Sequence, residues 1–152
     1  MIGWLLDTNV TSALVNPNGA PSVKSWIASQ PEETLFLSVL TLAEYDQGIH
    51  KLDPTDPART RYAILRDAVA ARFLGRILSV TDATVRRWGT INGEVRRQTG
   101  VWPAAIDTLL AASAIENDLF LVTRNVKDVA ATGAAIFSPW TDDSALFSLA
   151  KR

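Results

Sequence analysis

Three carboxylates stand out in this sequence for the residues around them. Asp7 ends an apolar run, Ile2–Leu6. Asp107 is the single charge in Ala104–Ile115, a stretch rich in alanine, leucine and isoleucine. Glu44 shares one helical line with Leu40 and Gly48. Glycine inside a helix costs ~1 kcal/mol and often marks a close backbone approach, so Gly48 draws attention to that line. Each carboxylate has an ordinary reading on its own. Asp7 suits an N-cap at a strand-to-helix junction. Asp107 suits a buried ion pair, with Arg124 as a candidate partner, or a first-turn position favoured by the helix dipole. Glu44 suits a solvated helix face. Taken together, three carboxylates on three elements, two of them in apolar settings, also suit a hard divalent cation, which takes oxygen ligands. Mg²⁺ keeps several waters and is held by one or two protein carboxylates plus substrate phosphate. Such a site serves phosphoryl or phosphodiester chemistry, because bound metal lowers the pKa of water and offsets charge on the leaving oxygen.

The rest of the composition narrows the choice. The chain of 152 residues holds no cysteine and one histidine, His50. Thiolate zinc sites, iron–sulfur clusters, cysteine nucleophiles and disulfides are excluded, and a histidine triad is starved of members. Sixteen acidic and fifteen basic residues leave a net charge of −1, so no global field advertises nucleic acid or an anionic membrane. The length suits one domain whose core needs no covalent staples. Met1–Leu6 lacks the basic lead-in of a targeting segment, and no apolar run approaches the ~18 residues of a membrane span. The expectation is a soluble cytoplasmic protein.

The elements that must position these residues can be read from periodicity and punctuation. Ile2–Leu6, Thr34–Leu37, Arg76–Val80, Leu119–Thr123 and Ala134–Phe137 read as five short strands. Between them lie helical segments. Thr8 or Asn9 caps the first, which stops at Asn16-Pro17-Asn18-Gly19, and a second opens at Pro21. Ser38 caps a third, running to about His50, whose imidazole then faces the C-terminal dipole. Ala58–Leu74 forms a fourth, and Thr81 or Asp82 caps a fifth that ends at Thr99-Gly100. Ala104–Ile115 is apolar nearly all round and is expected to be buried. Strands alternating with helices predict an α/β fold, a parallel sheet with helices on both faces. Ligand crevices in such sheets lie beyond the carboxyl ends of the strands, where Asp7 and Asn125 both fall.

Several segments, in their order and spacing, resemble one known family. They are Leu5-Leu6-Asp7-Thr8-Asn9-Val10, Ser38-Val39-Leu40-Thr41-Leu42-Ala43-Glu44 with Gly48-Ile49, Ile106-Asp107-Thr108-Leu109-Leu110-Ala111-Ala112-Ser113-Ala114, and Leu121-Val122-Thr123-Arg124-Asn125-Val126-Lys127-Asp128 with Pro139-Trp140. The sequence resembles the PIN domain, and within it the VapC/FitB-type ribonuclease toxins of bacterial toxin–antitoxin pairs, from Leu5 to Trp140. The resemblance implies a PIN-like three-layer α/β/α fold with a central parallel sheet of about five strands, a PIN domain over 1–140 and a tail over 141–152. It implies a catalytic, metal-holding core of Asp7, Glu44 and Asp107. Family members often add a fourth acidic residue, here either Asp128 or, by position, the uncharged Asn125. Thr8 and Thr123 become supports for these carboxylates, although capping or ladder duty would explain them equally. The implied function is a Mg²⁺- or Mn²⁺-dependent endoribonuclease that hydrolyses RNA with metal-activated water. A homodimer and a cognate antitoxin partner are implied with it.

Two other readings stand beside this one. A catalytically silent PIN-fold module that binds RNA or regulates would account for Asn125. A phosphatase with an aspartyl nucleophile would use Asp7, but such enzymes need a second aspartate where Asn9 stands. The arginines of the fourth and fifth helices could form a phosphate-binding face; interleaved with Asp67, Asp82 and Glu94, they read rather as a solvated surface. The five tryptophans read as core or dimer-interface anchors, with Trp102 placed to line the groove before Asp107.

Overall fold

The computed structural model describes residues 2–142. The tail expected over 141–152 therefore lies, from residue 143 onward, outside the described residues. All five expected strands form, β2 shifted by one residue and the other four shorter than their apolar runs: β1 Trp4–Leu6, β2 Leu35–Ser38, β3 Ile77–Leu78, β4 Phe120–Val122 and β5 Ile136–Phe137. They make one parallel sheet in the order β3-β2-β1-β4-β5. The helices are α1 Thr8–Val15, α2 Pro21–Ser29, α3 Val39–His50, α4 Ala58–Arg72, α5 Asp82–Thr99, α6 Ala105–Glu116 and the single turn α7 Val126–Val129.

Strand alternation divides the core in two. Trp4 and Leu6 of β1, Leu35 and Leu37 of β2, and Phe120 and Val122 of β4 point to one face. There they meet Val10 of α1, Val23, Trp26 and Ile27 of α2, and Val69 of α4. Trp4 packs edge-on to Trp26 at 5.0 Å and lies 5.3 Å from both Phe120 and Phe137. Leu5 and Leu121 point the other way, onto Leu110, Ala111 and Ala114 of α6. Burying each such large apolar side chain contributes roughly 1.5–3 kcal/mol, so both faces of β1 are locked in register. Helix α5 adds an outer layer, setting Ile91 and Val95 against Ala112 of α6. Among the described residues no helix is long and apolar enough to cross a membrane.

Two local expectations are corrected. The cap of α1 is Asp7, whose side chain accepts from the Thr8 N–H at 2.7 Å, not Thr8 or Asn9. Helix α6 is not buried all round. Thr108 and residues 110–114 are buried, whereas Ala105 and Ile106 are exposed and Asp107 is half-buried. The helix runs antiparallel to the strands, so its first turn stands at their carboxyl edge, where neither the sheet nor α5 covers it. Ser38, Thr81 and Gly100 fill their expected capping places: Ser38 accepts from Leu40, Thr81 from Thr84, and Gly100 adopts a left-handed φ of 76°.

Candidate metal centre

The chain leaves β1 toward β2 and β3 on one side and returns to β4 and β5 on the other. The strand order thus reverses between β1 and β4, and a crevice opens beyond their carboxyl ends. Asp7 follows β1 there and Thr123 follows β4. The Thr123 hydroxyl donates to Asp7 Oδ2 at 2.8 Å. Asn9 donates to the same oxygen at 3.2 Å and to Thr123 Oγ1 at 3.3 Å, while its own Oδ1 accepts from the Arg124 N–H at 3.2 Å. These bonds tie the ends of the two strands together around one carboxylate. Asn9, expected either to cap α1 or to stand where a phosphatase needs an aspartate, instead clamps the two strand ends.

Glu44 is not on a solvated face. It is half-buried, and its Oε1 accepts from the Thr8 hydroxyl at 2.7 Å. Thr8 also reaches the buried Thr41 at 3.4 Å. Both threonines named from the sequence thus hold carboxylates, and Thr123 in addition accepts from the Asn125 N–H at 3.0 Å. Gly48 marks no close approach: a Cβ there would meet nothing within 4 Å. It instead lines an open groove with Thr8, Glu44 and Tyr62.

Asp107 has no ion-pair partner among the described residues, which removes Arg124 as its candidate partner. The Arg124 guanidinium lies instead over the Trp140 ring, 5.5 Å from its centroid. Burial pushes all three carboxyl groups above their ordinary values. For Asp7, hydrogen bonds from Thr123, Thr8 and Asn9 pull partly back. For Glu44, the Thr8 bond pulls back, and the charges of Asp7 and Asp107 push up further. For Asp107, the charges of Asp7 and Asp128 add to burial. Asp128 is exposed, yet its charge reaches Asp107. The exposed Asn125 side chain makes no hydrogen bond among the described residues and does not cap α7.

The arrangement fits a hard cation in a specified way. Among the described residues no three acidic or imidazole side chains close into a ready-made cage. The site offers instead carboxylates whose charges act on one another, Asp7 and Glu44 held by hydroxyls and an amide, with no cation among the described residues to offset the repulsion. A metal that keeps its waters and takes few protein ligands suits such a set.

The expected solvated role holds for most of the arginines. Arg66 pairs with Asp46 and Asp67, Arg72 and Arg76 with Glu32, Arg86 with Asp82, and Arg87 with Glu116. Arg59, not His50, binds the end of α3, donating to the Ile49 carbonyl and to His50 Nδ1. Trp4 and Trp26 are core, the half-buried Trp88 donates to Thr108, and Trp102 is exposed.

Comparison with known proteins bears on the family and the fold. The PIN domain family model matches residues 4–132. Toxin FitB of Neisseria gonorrhoeae is 30% identical over 138 residues, 91% of this chain and 99% of its own length. VapC ribonuclease Y4jK of Sinorhizobium fredii is 30% identical over 140 residues, 90% of this chain and 96% of its own. A solved structure of FitAB bound to an IR36 DNA fragment superposes with a TM-score of 0.81 at 28% identity, over 92% of this chain and 97% of the other. By its sequence over most of its length and by its fold, this chain belongs to the PIN domain family.

Proposed function

We propose that this chain is a Mg²⁺- or Mn²⁺-dependent endoribonuclease, the toxin of a VapBC-type toxin–antitoxin pair. The observation that carries the reading is that Asp7, Glu44 and Asp107 stand close enough at the switch-point crevice for their charges to act on one another, with no cation among the described residues set against them. Asp7 and Asp107, with Glu44, would hold the cation. Asp128 completes the negative set better than Asn125, because its charge already reaches Asp107. When bound, the cation supplies charge against the phosphodiester and lowers the pKa of a water.

The chain's own groups do the positioning. Thr123 and Asn9 fix Asp7 Oδ2, and the Thr8 N–H fixes Oδ1. The Thr8 hydroxyl holds Glu44 Oε1, and no group among the described residues donates to Oε2, which can accept a proton from a water in the crevice. That the Sinorhizobium relative is a VapC ribonuclease supports RNA as substrate. That the Neisseria relative is a toxin, and the FitAB assembly on DNA, support a cognate antitoxin partner. Exposed Val39, Trp102 and Ile106 at the same edge support a homodimer.

The test is RNA cleavage by purified protein in Mg²⁺ or Mn²⁺, read on gels beside a chelated control. Asp107→Asn is expected to lose about 100-fold or more, since even groups that merely support a metal ligand cost 10–100-fold. Full activity in that variant overturns the reading. An aspartyl phosphatase is disfavoured because Asn9 is spent as a clamp on Asp7 and Thr123.

A further inference from the structure

A second cavity, of about 530 Å³, shares Asn9 with the carboxylate site. Asn16, Asn18, Gly19, Arg124 and Trp140 help to line it, and no acidic residue among the described residues does. Its wall is firmly set. A Cβ on Gly19 would fall 1.8 Å from the Ala13 carbonyl oxygen, so the loop after α1 is pressed onto that helix. Asn16 Oδ1 accepts from the Asn18 N–H at 2.9 Å, and Lys24 Nζ donates to the Asn16 carbonyl at 2.7 Å. Across the cavity, Asn9 holds the Arg124 backbone, and Trp140 underlies the Arg124 guanidinium. Neither Arg124 nor Lys24 has an acidic partner among the described residues, unlike Arg66, Arg72, Arg76, Arg86 and Arg87. Cationic, amide-lined space therefore adjoins an acidic centre in a chain of near-zero net charge.

We propose that this cavity binds the phosphodiester backbone of the RNA strand beside the scissile bond, with Arg124 as its phosphate contact and Lys24 at its rim. The proposal rests on the ribonuclease reading above. A strand that lays one phosphate at the carboxylates must carry its neighbours onto adjoining surface, and a cavity sharing Asn9 with Asp7 is such a surface. Arg124 is pre-oriented on Trp140, so less freedom is lost when it meets a phosphate. The asparagine amides offer both donors and acceptors to ribose hydroxyls and base edges.

The experiment measures binding of a fluorescein-labelled, mixed-sequence single-stranded RNA in EDTA across a salt series, where nothing is cleaved. Arg124→Gln is expected to weaken binding about three- to tenfold at low salt and to lower the salt slope by about 0.7, the share of one single-strand phosphate contact. Arg124→Lys keeps the slope, because the charge remains. Arg72→Gln, at the opposite edge of the sheet and paired with Glu32, changes neither. In Mn²⁺, Arg124→Gln raises KM and leaves kcat nearly unchanged. Thermal melts confirm that each variant folds. If Arg124→Gln binds RNA with unchanged affinity and slope while the wild type cleaves RNA, this site is overturned and the ribonuclease reading stands. If the wild type neither binds nor cleaves RNA, the ribonuclease reading falls and this proposal with it.

Discussion

Asp7 must carry charge in a place that disfavours charge. Its residue is 7% exposed, and three hydrogen bonds offset part of the desolvation. Bonds to a charged group are worth about 1.5–3 kcal/mol each, so Thr123 is expected to matter well beyond its size. Thr123→Val removes the donor to Asp7 and the acceptor of the Asn125 N–H. It should cost about 1–3 kcal/mol in urea unfolding and raise the Mn²⁺ concentration that half-stabilises the protein about 10–100-fold. Asp107 gives the opposite sign in metal-free protein. The helix N-terminus favours its charge, but burial and the charges of Asp7 and Asp128 outweigh that and raise its pKa. A carboxyl raised on folding costs nothing below its ordinary value of 3.8, where both states are protonated. The cost grows as pH rises past that value and is full above the folded pKa. Asp107→Asn should therefore raise the Tm in EDTA at pH 7.5 by up to about 3 °C, and the gain should vanish near pH 3.5. Melts across that range check it, and an Asn variant no more stable than wild type at pH 7.5 contradicts the like-charge account.

At the scale of elements, short strands are held by what surrounds them. β3 has two residues, and its place depends on Arg76 just before it. That guanidinium donates to the carbonyls of Glu32, Leu35 and Arg72, pairs with Glu32, and lies 4.9 Å from the Phe73 ring centroid. Arg76→Met keeps the apolar stem and strips these partners. It should cost about 2–3 kcal/mol in urea unfolding. Glu32→Gln should cost less, under about 1 kcal/mol, because that carboxylate is half exposed. The strands and helices themselves were legible because burial leaves a local trace: apolar runs for β1 and β4, and capping residues at Ser38, Thr81 and Gly100. The first turn of α6 was misread because composition cannot tell where a helix emerges from under its sheet. Asp107 is half-buried for that reason, and for the same reason it can face a ligand.

For the whole molecule, the strand reversal between β1 and β4 brings Asp7 and Thr123 together from positions far apart in the chain. The three acidic residues could be nominated from their unusual settings, and the resemblance ordered them. The clamp made by Asn9 and the turn of Arg124 onto Trp140 left no such trace, because both depend on which strand lies beside β1. Global charge was equally silent. Arg66, Arg72, Arg76, Arg86 and Arg87 are spent on acids, while Arg124 has no acidic partner among the described residues. The carboxyl edge is also where the molecule leaves apolar surface open. Val39 begins α3, Ile106 lies in the first turn of α6 and Trp102 just precedes it; they are 38%, 38% and 64% exposed. Exposed apolar side chains at this edge would be covered by a second copy of this chain in the homodimer proposed above. Light scattering after gel filtration should then give a dimer mass for the wild type. A Trp102→Ser, Ile106→Glu double variant should give a monomer mass with its melting cooperativity intact. A variant that stays dimeric moves the interface elsewhere, and a wild type that is monomeric at micromolar concentration removes the dimer from the reading.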